Sequence, residues 1–168
     1  MKVEELLREM TQAYVVSGDR KLRTTTRTIN TCLDAWAKSG HENADERILE
    51  WLNKLRDADD FLSTGSNTLL RPDKWTYNAY LQALARSGKE HIGTTAEAIL
   101  LEMETLHQKG HTYDVKPDVL TYTNVIHCIA LSGQENAVDR ALTLLNRLED
   151  LHEKGSGDVR PNLFTYNW

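Results

Sequence analysis

Cysteine and proline are scarce in these 168 residues, and the scarcities set the first limits. The two cysteines, Cys32 and Cys128, lie far apart inside apolar helical patterns, which reads as reduced thiols packed as small hydrophobes rather than as a disulfide framework. No run of about 18 apolar residues exists, so the sequence offers no membrane-spanning helix. The start, "MKVEELLREM", is too acidic for a secretory or organellar targeting peptide. Gly-rich phosphate loops, nucleophile motifs and carboxylate clusters at metal spacing are all missing. His107 and His111 come nearest to a zinc pair, but Gly110 intervenes at an expected helix end. Neither catalysis nor a metal, a cofactor or a membrane is therefore expected. What is there is 40% hydrophobic and 27% charged, a composition able to bury a core.

The prolines, Pro72, Pro117 and Pro161, are spaced 45 and then 44 residues apart, and each falls at the same point of a recurring pattern. "RPDKWTYNAYLQALARSG" at 71–88 returns as "KPDVLTYTNVIHCIALSG" at 116–133, and "AKSG" at 37–40 matches "ARSG" and "ALSG". Glycine there marks a helix C-terminus, because it tolerates the left-handed conformation. Upstream of each Gly, apolar residues fall at helical spacing: Ile29, Cys32, Leu33, Trp36; Tyr77, Tyr80, Leu81, Leu84; Tyr122, Val125, Ile126, Ile129. A second stripe follows each Gly: Ile48, Trp51, Leu52, Leu55; Ala96, Ile99, Leu100, Met103; Ala141, Leu144, Leu145, Leu148. Val3, Leu6, Leu7 and Met10 carry the same stripe, so the chain is expected to open on the second helix of a preceding unit. At "NLFTYNW" it is expected to stop early in the first helix of another. Segments 57–71 and 110–116 lack periodicity and read as loops. One helix pair cannot bury its apolar faces alone, so the copies are expected to stack into an α-solenoid, first helices on one surface and second helices on the other.

Pro-Asp, then Thr-Tyr-Asn three residues on, then a helix ending in basic-Ser-Gly and a second helix holding Glu-Met, resembles the pentatricopeptide repeat family, best in residues 71–110. The units are longer than is usual there, and the first has Thr24 and Thr25 where Pro-Asp would stand. The tetratricopeptide signature of Trp, Leu-Gly and Tyr at a period of about 34 residues is missing. The resemblance implies a right-handed all-α solenoid of stacked antiparallel helix-turn-helix repeats, in a long-repeat variant with about three complete copies. Residues 1–25 would hold the second helix of a preceding repeat plus a loop, 26–73 repeat one, 74–118 repeat two, 119–162 repeat three, and 163–168 the start of another. It further implies a single-stranded RNA partner, one base per repeat, in RNA processing or stability within a mitochondrion or chloroplast.

Site residues carry over from the resemblance by position. The base-reading pairs would be Asn30 with Asp73, Asn78 with Asp118 and Thr123 with Asn162, and the family's pairing rules turn these into 5′-UUA. Asn both donates and accepts along a base edge and Asp accepts, which suits uracil. Asp73, Asp118 and Asn162 also suit plain turns or helix N-caps after proline. The residue before each Thr-Tyr, or before Thr28-Ile29 in the first copy, would stack on bases: Arg27, Trp75, Leu120 and Phe164; Trp75 and Leu120 equally suit an inter-repeat core. Phosphate would meet Lys38 and Arg86, with uncharged Leu131 at that place in the third copy.

A net charge of −5 speaks against nucleic acid, since Lys and Arg supply much of such affinity. Its distribution answers in part: segments 26–40, 74–88 and 119–133 carry Arg27, Lys38, Lys74 and Arg86 against Asp34 alone. The alternative is a protein-protein interaction scaffold of tetratricopeptide type.

Overall fold

The computed structural model describes residues 2–19, 21, 24–57, 70–110, 114–155 and 159–166. Residues 58–69, most of the first expected loop, and 111–113, part of the second and including His111, lie outside the described residues.

Polar side chains at fixed places start and stop the first helices. Helix α2 (Thr26–Lys38) begins at Thr25, whose hydroxyl accepts from the Thr28 amide. Helices α4 (Lys74–Arg86) and α6 (Val119–Leu131) begin at Asp73 and Asp118 in full capping boxes, the carboxylate accepting from the Thr76 or Thr121 amide while that threonine's hydroxyl accepts from the cap's own amide. Helix α8 (Leu163–Tyr166) follows Asn162, whose side chain accepts from the Phe164 and Thr165 amides. Serine ends three of them. The hydroxyls of Ser39, Ser87 and Ser132 donate to the carbonyls of Trp36, Leu84 and Ile129 at 2.7, 2.8 and 2.7 Å, and the next residue, Gly40, Gly88 or Gly133, is left-handed at φ +66°, +61° and +64°. The Ser-Gly pair is thus a stop signal in chemical detail.

Second helices follow these turns: α3 (Ala44–Arg56), α5 (Ile92–Gln108) and α7 (Ala137–Glu153), with α1 (Lys2–Ser17) ahead of them all. First helices stack in one row, α4 on α2, α6 on α4 and α8 on α6. Second helices form another layer, α3 against α2 and α4, α5 against α4 and α6, and α7 against α6. All the described elements are helical, and the chain is a helical repeat solenoid.

Burial follows the stacking. Helix α4, with a first helix on either side, buries nine of its thirteen residues, whereas α2 buries Ile29, Leu33 and Ala37 and leaves Cys32 and Trp36 half-buried. Core residues outside the periodic stripes also appear: Leu70, Val115 and Val159, each two residues before a repeat proline, are buried in the core cluster. At one place the layers nearly touch. A Cβ added to Gly93, in the first turn of α5, would stand 3.2 Å from the Ile129 Cα on α6 and 3.2 Å from the Cβ of Ser132, which caps that helix.

Candidate nucleic-acid interface

Because α2, α4 and α6 lie side by side and start alike, their first turns present equivalent residues along one surface. A groove of about 670 Å³ runs over them, with Arg27, Asn30 and Lys38 from α2, Trp75 and Asn78 from α4, and Leu120 from α6 on its walls. Asp73 lies there too, together with Thr31, Asp34, Ala79 and Gln82, which sequence reasoning did not single out as site residues. Their signal was the helical period: Asp34 and Gln82 are one turn on from Asn30 and Asn78, on the same face.

Residues at the expected reading positions meet in pairs in the first two units. The Asn30 amide donates from Nδ2 to Asp73 Oδ1 at 2.8 Å, and its Oδ1 accepts from the Thr76 hydroxyl at 2.7 Å. One unit on, Asn78 Nδ2 reaches Asp118 Oδ1 only at 3.5 Å, and Asn78 Oδ1 is buried without a hydrogen-bond partner. In the third unit Thr123 and Asn162 are not directly bonded; the Thr123 hydroxyl shares a 3.0 Å hydrogen bond with that of Thr165, whose amide Asn162 caps. Asp73 and Asp118 therefore both cap helices and face the asparagines of the preceding first helix.

The residues before Thr-Tyr lie on the outside. Trp75 is 58% and Phe164 72% exposed, Arg27 is exposed and Leu120 half-buried, so Trp75 does not close an inter-repeat core. Lys74 Nζ stands 6.0 Å from the centre of the Trp75 ring, at the outer limit of a cation–π contact, and 2.8 Å from the Asp114 carboxylate. The basic residues before Ser-Gly have protein partners. Lys38 pairs with Asp34 at 2.7 Å, and Arg86 donates to the Ala37 carbonyl, capping the end of the neighbouring first helix. His127, at the position equivalent to Gln82, is half-buried; burial first, then the Arg86 guanidinium, hold its pKa below the ordinary 6.5.

Polar ties lock the two layers behind the groove. The Tyr77 hydroxyl donates to Glu102, which also pairs with Arg56; the Tyr122 hydroxyl donates to Glu104, which pairs with Arg147. Burial and then the carboxylate raise both phenols above their ordinary 10, so they remain donors. The buried Cys128 thiol, pushed up to about 12 by desolvation, is a packed apolar group rather than a nucleophile. Among the described residues, no group of three His, Cys, Asp or Glu is placed to hold a metal ion, and no helix is long and apolar enough to cross a membrane.

Comparison with curated proteins and with solved structures gave no match. A family model described as the pentatricopeptide repeat domain matches residues 105–168, a span that takes in α6, α7 and α8. Residues 105–168 are thus similar to the pentatricopeptide repeat domain, a family whose members in general bind RNA.

Proposed function

We propose that this chain binds single-stranded RNA along the first-helix groove, one base per repeat, with a preference for 5′-UUA, and catalyses no reaction. The observation that carries the reading is Asn78: the residue is 3% exposed, its Oδ1 has no partner, and it lines a groove with exposed Trp75 and half-buried Leu120. A buried acceptor left unpaired costs about 1–3 kcal/mol, and a turn of the side chain that brings Oδ1 to a uracil N3–H would recover that cost. Trp75 and Leu120 supply the faces between which such a base would stack. Asn30 with Asp73 would take the preceding uracil, and Thr123 with Asn162 the adenine that follows. Arg27 and Phe164 would stack at the two ends, with Lys38 and Arg86 along the phosphate path. The setting proposed is RNA processing or stability in a mitochondrion or chloroplast.

Fluorescence anisotropy of labelled RNAs containing UUA, against CCC and shuffled controls and the matching DNA, tests this. Preference for UUA that Asn78→Ala lowers selectively at the second uracil is expected. RNA binding indifferent to sequence and to Asn78→Ala would overturn base reading. No salt-sensitive RNA binding at tens of micromolar protein would favour a protein-interaction scaffold, which the net charge of −5 also suits.

A further inference from the structure

The threonine of each Thr-Tyr pair, Thr76, Thr121 and Thr165, is buried at 0%, 0% and 2% exposure and belongs to the capping turn of its own helix. At Thr76 the hydroxyl does something more. It accepts from the Asp73 amide at 3.2 Å and has a single proton to give, with Asn30 Oδ1 at 2.7 Å and Asp73 Oδ1 at 3.2 Å as the two takers. The shorter contact takes the proton, and it leads to the previous unit's asparagine. Thr121 has the same capping contacts, with the Asp118 amide at 3.2 Å and Asp118 Oδ1 at 3.1 Å, yet Asn78 Oδ1 is left without a partner and the Asn78–Asp118 contact stretches to 3.5 Å. The chain thus contains its own comparison: one asparagine held at both ends of its amide, and one held weakly at one end.

We propose that Thr76 is a positioning residue for Asn30, its hydroxyl fixing the amide with Nδ2 toward Asp73 and Oδ1 toward α4, so that the second unit's first turn completes the first unit's reading site. The inference rests on the proposed base-reading role for its consequence, though not for its geometry. A clamped amide keeps one N–H and one lone pair for a base and loses no rotamer freedom when the base arrives. The unclamped Asn78 Oδ1 is buried without a partner, so that amide must turn toward a base and be fixed there on binding. Thr165 meets Thr123 in the equivalent place, hydroxyl to hydroxyl at 3.0 Å.

Thr76→Val keeps the shape and removes the hydroxyl; Thr76→Ser restores it. Thr121→Val removes an equal capping contact and no clamp, which makes it the control for lost helix capping. The penalty for replacing U by C is measured at each of the two uracil positions. Thr76→Val is expected to shrink the penalty at the first position roughly two- to tenfold, the scale of ordering one side chain, and to leave the second alone. Thr76→Ser should recover it, and Thr121→Val should change neither. Equal loss at both positions with Thr76→Val and Thr121→Val alike would reduce Thr76 to a cap and overturn the proposal.

An RNA-free readout separates this from the base-reading claim. In 15N NMR the Asn30 side-chain amide should be rigid in the wild type, shifted and mobile in Thr76→Val, and untouched in Thr121→Val. An Asn30 amide unchanged by Thr76→Val overturns positioning even if UUA is read. Where the wild type shows no base preference, base reading fails and the amide signal alone decides on the clamp. If Thr76→Val does not fold, the wild type decides: a Thr76 hydroxyl proton close to the Asn30 amide supports the clamp, and its absence refutes it.

Discussion

Individual side chains in this solenoid often serve two neighbours at once. Asp73 caps α4 and receives Asn30; Arg86 ends α4 and closes α2 through the Ala37 carbonyl. His127 shows a cost of this sharing. Burial and the nearby Arg86 hold its pKa below 6.5, so the unfolded chain takes up a proton more readily than the folded one. Its contribution is therefore present above the unfolded value of 6.5 and is lost as pH falls through the depressed folded value. Melting temperature should fall on acidification from neutral pH through that window, and His127→Gln should flatten this part of the curve; an identical pH profile for the variant would remove His127 as the cause. At this scale the sequence was legible where identity alone carries meaning. The asparagines after Thr-Ile and Thr-Tyr and the aspartates after Pro could be paired by position, and each pair of the first two units meets in space. What could not be read was competition for the same atoms: nothing in "AKSG" says that Lys38 is paired with Asp34 one turn earlier, and nothing in "ARSG" says that Arg86 caps a different helix.

Helices and their junctions were the most legible level, because every first helix begins at a capping side chain and three of them end at Ser-Gly, signals set by local chemistry. The buried Leu70, Val115 and Val159 escaped notice, since two residues before a proline there is no period to betray an apolar contact. Gly93 escaped too. It reads as an ordinary weak helix former, and replacing it with Ala should gain about 1 kcal/mol in helix propensity. The structure reverses that expectation, because the new Cβ would meet the Ile129 backbone at 3.2 Å, and a backbone cannot rotate away as a side chain can. Overpacking of this kind costs about 1–3 kcal/mol, so Gly93→Ala is expected to be net destabilising. At about 2–4 °C per kcal/mol for a chain of this size, the melting temperature should fall by a few degrees. A variant that melts higher than the wild type would show that α5 and α6 can move apart freely.

Across the whole molecule, charge and layer are linked. Net charge is −5, yet the first-helix segments hold four bases and one acid, so the acidity belongs to the second helices and loops. A first-helix row of this kind repels RNA less than the total implies, but its cations are largely engaged: Lys38 with Asp34 at 2.7 Å, Lys74 with Asp114 at 2.8 Å, Arg86 with a backbone carbonyl. If the proposed RNA path is right, few phosphates are neutralised and affinity should depend on salt only gently, with a slope of roughly −0.7 for each phosphate contact on a single strand. Asp34 is then a brake on binding. It is the one acid in those segments, it lies in the groove beside Asn30, and its exposed i,i+4 pair with Lys38 is worth only about 0.3–0.5 kcal/mol to the fold. Asp34→Asn should therefore fold as well as the wild type, release Lys38 toward phosphate, tighten binding to every RNA sequence alike and steepen the salt slope by about 0.7. Lys38→Ala should do the reverse, again without regard to sequence. Titrations of UUA and CCC RNAs at two ionic strengths separate the cases, because Asn78→Ala should act on UUA alone. An Asp34→Asn protein that binds both RNAs no better at low salt would mean that the phosphates run elsewhere, and that the four bases and one acid of the first-helix segments are not an RNA footprint.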